Sequence, residues 1–436
     1  MSSEKSSWSD LYTKEDWWTI WFAAVLIIIV SVFKAAEAAF KVPKIGKWVS
    51  NPIDAFPAEL LFPLVLLFVG IGFLTLIGVA VMKQDPKRYI AGYIVVFLLA
   101  ALSYLVAHQQ SVDKWGLGYA IWALFFGLLI SNTIGTPLWI KQGARSEMFI
   151  KTGLVLLGAE ILFGKILDLG GPGLVVAWVV TPTVILFMWY FGTRVVKLKS
   201  KPLVIIIATA TSVCGVSAAI AAAAASRAKK EELTLAVGMT MIFTVIMMVA
   251  MPALTGAMGL SEAVGGAWLG GTIDSTGAVV AAGAFLGENA EKVAAVVKMI
   301  QNVLIGVVAF LIAVVWTTKF DAEPGTKASP MEIWYRFPKF ILGFVLASIV
   351  FSFILMPTLG SDTVSSILNS TKTFRGWFFC LAFVSIGLES NFKELASQMA
   401  GGKPMILYVI GQTFNILLTL LMAYLAFGGV LFDKAF

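Results

Sequence analysis

The sequence predicts an all-α, polytopic membrane protein, and three observations carry that expectation. Hydrophobic residues make up 59% of the 436-residue chain and charged residues only 13%. Mean hydropathy is +0.90. Apolar runs recur at the length that crosses about 30 Å of hydrocarbon, enough for about 11 transmembrane helices plus two discontinuous or re-entrant elements.

The opening SSEKSSWSDLYTKEDWW lacks the basic start, apolar core and small-residue cleavage site of a signal peptide. Residues 1–16 therefore read as a polar N-terminal tail, and the first helix as a retained anchor. Residues 17–436 read as a single transmembrane domain, because the longest connections, near 34–58 and 317–337, are too short to fold alone. Apolar stretches bounded by charge, Pro or Gly lie near 17–33, 59–82, 89–107, 117–135, 148–164, 173–191 and 202–225. They continue near 233–256, 266–285, 293–316, 338–357, 375–391 and 404–428.

The net charge of +7 does not imply a nucleic-acid partner, since the basic residues are spread through loops as in membrane proteins generally. Their sorting bears on topology. If every stretch crosses, the basic residues distribute poorly between the two sides. If 202–225 and 266–285 instead enter and leave on one face, Arg194, Lys197, Lys199, Lys201, Arg227, Lys229 and Lys230 all fall inside and the bias improves markedly. Lys34, Lys41, Lys44 and Lys47 stay outside in both arrangements.

Asp274 stands in WLGGTIDSTGAVVAAGAF (268–285), apolar enough to enter a bilayer yet broken by glycines and small polar residues. A carboxylate at membrane depth is costly unless it faces protein, water or an ion, so it marks a pathway or coupling site; the bland reading is a wet loop tip. ATATSVCGVSAAIAAAAAS (208–226) has the same texture, and two interrupted apolar segments point to the binding site of a secondary transporter. Ser212, Cys214, Gly215 and Ser217 in one element, and Thr272, Ser275, Thr276 and Gly277 in the other, supply flexible backbone and small hydroxyls. Half-helices starting after each break would aim free N–H groups at an oxyanion. Close packing of small residues is the competing reading.

Glu160 and Glu389 each follow about ten apolar residues and precede Lys165 and Lys393, so they mark either buried proton or sodium sites or mere helix ends. GAEILFGKILDLGGPG (158–173) and GLESNFKELASQMAGGKP (387–404) share Gly-x-Glu-x-x-Phe followed by a Gly-Gly turn, and TSVCGVSAAIAAA (211–223) pairs more weakly with TIDSTGAVVAAGA (272–284). An inverted repeat is the expectation drawn from these pairs. Lys298, Gln301 and Asn302 lie inside a crossing segment, where Lys298 either neutralises Asp274 or a bound anion, or snorkels to the interface. Gln412 and Asn415 share a helical face, and Asn132 ends another helix. A membrane enzyme built on Cys214 finds no histidine nearby: the chain has one, His108, and two cysteines in apolar segments, Cys214 and Cys380, which leaves a zinc or haem site almost no ligands and suggests no disulfide framework.

KTGLVLLG (151–158), SVCGVSAAIAAAAA (212–225) and VVAAGAFLG (279–287), in this order, resemble the family of multi-pass bacterial inner-membrane proteins named for sulfate export. The resemblance covers roughly half of the chain and implies a secondary transporter, an exporter of sulfate or a sulfonate-like anion. Members of that family commonly carry a basic residue where Glu160 stands, and a His followed by an acid where Asp274 and Ser275 stand, so this chain is a divergent member. Exchanging cation for carboxylate weakens an anion site unless a cation binds with the substrate.

The expectation is therefore a non-enzymatic secondary active transporter in the bacterial inner membrane that moves a small inorganic or organic anion by alternating access. Ser212, Cys214, Gly215, Ser217, Ser275, Thr276 and Gly277 would bind substrate. Asp274, Glu160 and Glu389 would couple sodium or protons, with Lys298, Gln301 and Asn302 in support. No further cofactor, no nucleic acid, lipid contact and a homodimer complete the expectation. Its rival is a cation/proton antiporter.

Overall fold

The computed structural model describes residues 9–36, 42–114, 118–161, 163–320, 334–335, 337–397 and 402–433. Among them the regular structure is helical, apart from one isolated bridge between Trp48 and Gln109. Eight of the described helices are long and apolar enough to cross a bilayer, which makes this a multi-pass membrane protein.

In chain order the helices are α1 Glu15–Ala35, α2 Ala58–Val81, α3 Pro86–Ala107, α4 Tyr119–Thr133 and α5 Ser146–Glu160. Next come α6 Phe163–Tyr190, α7 Lys201–Ser212, α8 Gly215–Ala225, α9 Lys230–Ala257, α10 Glu262–Thr272, α11 Thr276–Leu286 and α12 Glu288–Val315. The last are α13 Phe340–Ile349, α14 Met356–Glu389 and α15 Lys403–Phe427. Shorter helical turns are left unlabelled. Each apolar stretch of the sequence became one helix or one broken pair.

One boundary needs correction. The stretch before 375 is not a connection: the chain breaks at non-helical Gly360 (φ 78°), and from there α14 is helical up to Glu389. Its first half is amphipathic rather than apolar, burying Val364, Ile367, Thr371 and Phe374 at helical spacing while Ser361 and Asp362 stay exposed. A search for continuous apolar runs cannot see such a helix.

Within the stretch read above as one membrane domain, the chain packs as two compact units. One holds residues 1–165 and 339–391, the other 166–338 and 392–436. The chain passes from the first to the second shortly after Glu160, and again shortly after Glu389.

In the first unit α5 is the innermost helix, buried continuously from Met148 to Ile150 and from Thr152 to Ala159, against α1, α13 and α14. Lys151 interrupts that run and reaches Asp16 at 2.8 Å. α4 meets α14 backbone to backbone. A Cβ on Gly127 would lie 2.5 Å from the Val384 carbonyl oxygen and 2.8 Å from Gly387 Cα, and Ser131 Oγ fastens the same contact by donating to Gly387 O at 2.9 Å. Without a hydrophobic force between helices in lipid, such close approach through small residues supplies the packing energy.

The second unit consists of α6 to α12 with α15. Caps set its helix starts. Ser261 accepts from Val264 N at the head of α10, and Ser200 accepts from Leu203 N at the head of α7.

Gly127→Val should overpack the α4–α14 contact at a cost of about 1–3 kcal/mol, read as a lower thermal midpoint of the detergent-purified protein. Gly70→Ala, with open space around its Cα, should leave the midpoint in place. Equal midpoints for both variants would remove the contact from the account.

Candidate functional site

Two broken helices define the site, and both belong to the second unit. α7 ends where Val213 (φ −126°, ψ −83°) and Cys214 (φ −150°, ψ 68°) leave helical geometry, and α8 restarts at Gly215. Gly215 has φ +28°, which a side chain strains. α10 ends at an extended Ile273 (ψ 133°), and α11 restarts after an extended Ser275 (ψ 135°).

Each pair folds back on itself. Glu262, at the start of α10, accepts from Asn289 N at 3.1 Å and Ala290 N at 3.3 Å, just beyond the end of α11. A Cβ on Gly265 would stand 3.2 Å from Leu286 Cδ1, so the open ends of this hairpin are neighbours. Ser200, at the head of α7, donates to Glu232 in the first turn of α9, which brings the open ends of the first hairpin together as well.

The two tips meet. A Cβ on Gly215 would lie 2.7 Å from Asp274 O and 2.7 Å from Thr240 Cγ2, so only a glycine admits this approach. Cys214 Sγ lies 3.6 Å from Thr276 Oγ1 across the junction.

The breaks leave carbonyls at the ends of α7 and α10 that an apolar surrounding does not satisfy. Side chains do so instead. Gln301 Nε2 from α12 donates to Ser212 O at 3.0 Å and to Gly271 O at 3.1 Å, joining both tips. Asn415 Nδ2 from α15 repeats this with Thr211 O at 3.0 Å and Thr272 O at 3.4 Å. Lys298 Nζ donates to Val213 O and Gln301 Oε1, each at 2.6 Å, and Thr181 Oγ1 adds a bond to Ser212 O at 3.0 Å. Lys298 is 1% exposed, so it does not snorkel. Its charge sits at the negative end of α7, where the helix dipole favours it.

Asp274 is 1% exposed, which removes the wet-loop reading. Oδ2 accepts from Tyr408 Oη at 2.5 Å, while Oδ1 has no protein partner. The residue stands beside the first residue of α8 and two positions ahead of α11, where negative charge complements the amino ends of both half-helices.

The expected substrate residues divide. Gly215, Thr276 and Gly277 are buried at the junction, and Thr276 Oγ1 accepts from Asn302 Nδ2 at 3.0 Å. Ser275 is half-buried beside them. Ser212 donates its hydroxyl proton back to Ala208 O at 2.5 Å and offers its carbonyl to the junction. Ser217 faces outward with Val216 in the first turn of α8.

Glu160 and Glu389 belong to the first unit. Both are the last residues of their helices, α5 and α14. Glu160 Oε1 pairs with Arg375 Nε at 2.7 Å, the two side chains 6% and 5% exposed, with the guanidinium over the Phe379 ring. Glu389 Oε2 accepts from Ser146 Oγ at 2.6 Å.

Tyr408, Thr181 and Thr244 went unnoticed in the sequence. Tyr408 was within reach: with Gln412, Asn415 and Thr419 it forms a buried polar stripe at helical spacing along α15. Nothing local distinguishes Thr181 or Thr244 from the other hydroxyls of apolar helices.

Residues 91–408 match the protein family described as Conserved hypothetical protein 698. The chain is 52% identical over 377 residues to a UPF0324 membrane protein of Nitratidesulfovibrio vulgaris, covering 85% of this chain and 65% of that protein. It is 45% identical over 501 aligned positions to one of Rhodopirellula baltica, covering 98% and 92%. A UPF0324 membrane protein of Nitrosomonas europaea is 29% identical, covering 94% and 95%. No solved structure matches the chain.

Arg375→Met should cost about 3–5 kcal/mol by breaking the buried ion pair with Glu160. Glu160→Gln combined with Arg375→Met should recover most of that loss in thermal unfolding. A double variant as unstable as the single one would mean that Arg375 acts through other contacts.

Proposed function

The chain belongs to the Conserved hypothetical protein 698 family, whose relatives above are named as membrane proteins, and from that premise we propose that it is a secondary active transporter. It moves a small anion, sulfate or sulfonate-like, through the bilayer by alternating access, coupled to sodium or protons. One observation carries this reading: two helical hairpins meet tip to tip, with their broken ends held by buried amides. Non-helical backbone at membrane depth is tolerated where it is buried in protein or lines a cavity, and transporters place their substrate at such breaks.

In this reading the first-turn amides of α8 and the Ser217 hydroxyl receive the anion on the exposed side of the tip. Thr276 and Gly277 shape the second half of the site. Asp274 already complements the amino ends of both half-helices. A bare anion there meets Coulomb repulsion, and a cation bound with it relieves the repulsion. Transport of the anion is thereby tied to a cation. The hairpins are re-entrant, each opening to one side, and the two halves of the second unit rock about the junction as an inverted repeat.

The placement of Asp274 at the amino ends also supports a second reading, a cation/proton antiporter in which no anion binds.

Proteoliposomes holding the wild-type protein should take up labelled sulfate saturably under a sodium or pH gradient, and Asp274→Asn should abolish the gradient dependence. Gradient-driven cation flux with no response to any anion would favour the antiporter. Folded protein that moves neither anion nor cation would end the transport reading.

A further inference from the structure

Besides Thr240 Oγ1 and Asn302 Oδ1, four side-chain oxygens among the described residues of the second unit are deeply buried without a hydrogen-bond partner: Asp274 Oδ1, Thr272 Oγ1, Gln412 Oε1 and Thr244 Oγ1. Their residues are 1%, 1%, 3% and 7% exposed. Each lone buried acceptor costs on the order of 1–3 kcal/mol, and in most proteins the great majority of such atoms are paired. Four around one hairpin tip need an explanation.

The contacts around them place all four in one layer. Ile273 is extended, so the side chains of Thr272 and Asp274 on either side of it fall on the same face of the tip. α15 covers that face. Tyr408 reaches Asp274 Oδ2, and one turn later Gln412 Nε2 donates to Thr272 O at 3.3 Å and touches Met247 Sδ. These bonds turn the amide nitrogen toward the backbone and leave its oxygen over. α9 closes the layer. Thr240 lies against Gly215 and Asp274, Met247 against Gln412, and Thr244 sits between them on the same helical face.

Asp274 Oδ1 and Gln412 Oε1 can only accept, and the hydroxyls of Thr272 and Thr244 bring lone pairs as well as their protons. The tip's nitrogen donors are spent elsewhere: Gln301, Asn415 and Lys298 point at carbonyls at the ends of α7 and α10, and Asn302 Nδ2 donates to Thr276 Oγ1. What suits the four remaining oxygens is a positive ion. One carboxylate and three neutral oxygens carry a single negative charge. That matches a monovalent cation and falls short of the several carboxylates a divalent ion draws on. Oxygen-only ligation selects a hard ion.

We propose that Asp274 Oδ1, Thr272 Oγ1, Gln412 Oε1 and Thr244 Oγ1 form a sodium site between the second hairpin tip, α9 and α15. Tyr408 is a positioning residue: by holding Oδ2 it turns Oδ1 toward the other three oxygens. The site's part in transport rests on the function proposed above, but the binding itself does not.

The test is equilibrium binding of radioactive sodium to the purified full-length protein in detergent. The wild type should bind sodium saturably, displaced by unlabelled sodium and not by choline. Asp274→Asn should abolish binding. Thr244→Val and Gln412→Leu should each weaken it about tenfold or more, a loss of about 1.4 kcal/mol. Gln412→Glu, which keeps an oxygen in place, should retain it, and this separates lost ligation from lost folding. No saturable binding by folded wild-type protein, or binding untouched by both Thr244→Val and Gln412→Leu, overturns the site. Sodium binding without any transport would sink the transport reading and leave the site standing; transport without sodium binding would do the reverse.

Discussion

Everything in the second unit answers to one constraint: helices broken inside an apolar layer must have their freed backbone groups satisfied by protein. Lipid offers no partner, and each unpaired group costs several kcal/mol. The cost is met by two carboxamides placed alike. Gln301 from α12 and Asn415 from α15 each bridge a carbonyl of α7 and a carbonyl of α10, so the two hairpins are pinned to each other and to the crossing helices at once. Gly215 then becomes obligatory, because the tips held this way leave no room for a Cβ. Small residues on the hairpins follow from the same demand for close approach.

Charge is arranged around the same breaks. Lys298 lies at the carbonyl end of α7, and Asp274 beside the amide ends of α8 and α11, so each stands where the local helix dipole is opposite in sign. A buried lysine and a buried aspartate are thereby tolerated without leaving the unit's core. The first unit handles its charge differently. Glu160 spends its carboxylate on Arg375, and Glu389 takes the Ser146 hydroxyl. The matching glutamates of the sequence repeat thus end their helices in the same way but hold different partners.

The helices were legible because apolar runs of membrane-crossing length are a coarse and robust signal, and the breaks were legible because Gly, Ser and Thr clusters interrupt such runs. The amphipathic start of α14 was not, since its apolar face is visible only at helical spacing. Asp274 stood out from its cost alone. Gln412 and Asn415 showed as a shared face, yet their partners lie more than 130 residues away in the chain, which no local pattern encodes. Glu160 illustrates the same limit, for a carboxylate after ten apolar residues reads equally as a coupling site or as half of an ion pair, and Arg375 is 215 residues distant. The orientation of Ser212 was not legible either, since a hydroxyl inside a helix can return to the carbonyl one turn back.

The most direct test of the central claim is the sidedness of the hairpin ends. Single cysteines at Lys199 and Lys229, and at Ser261 and Asn289, in a chain with Cys214 and Cys380 replaced, can be labelled in sealed vesicles by an impermeant maleimide. Lys199→Cys and Lys229→Cys should react from one side, and Ser261→Cys and Asn289→Cys from the other, because α9 crosses between the hairpins. Labelling of Lys199→Cys and Lys229→Cys from opposite sides would contradict it, since the first broken pair would then cross the bilayer rather than turn back at its tip.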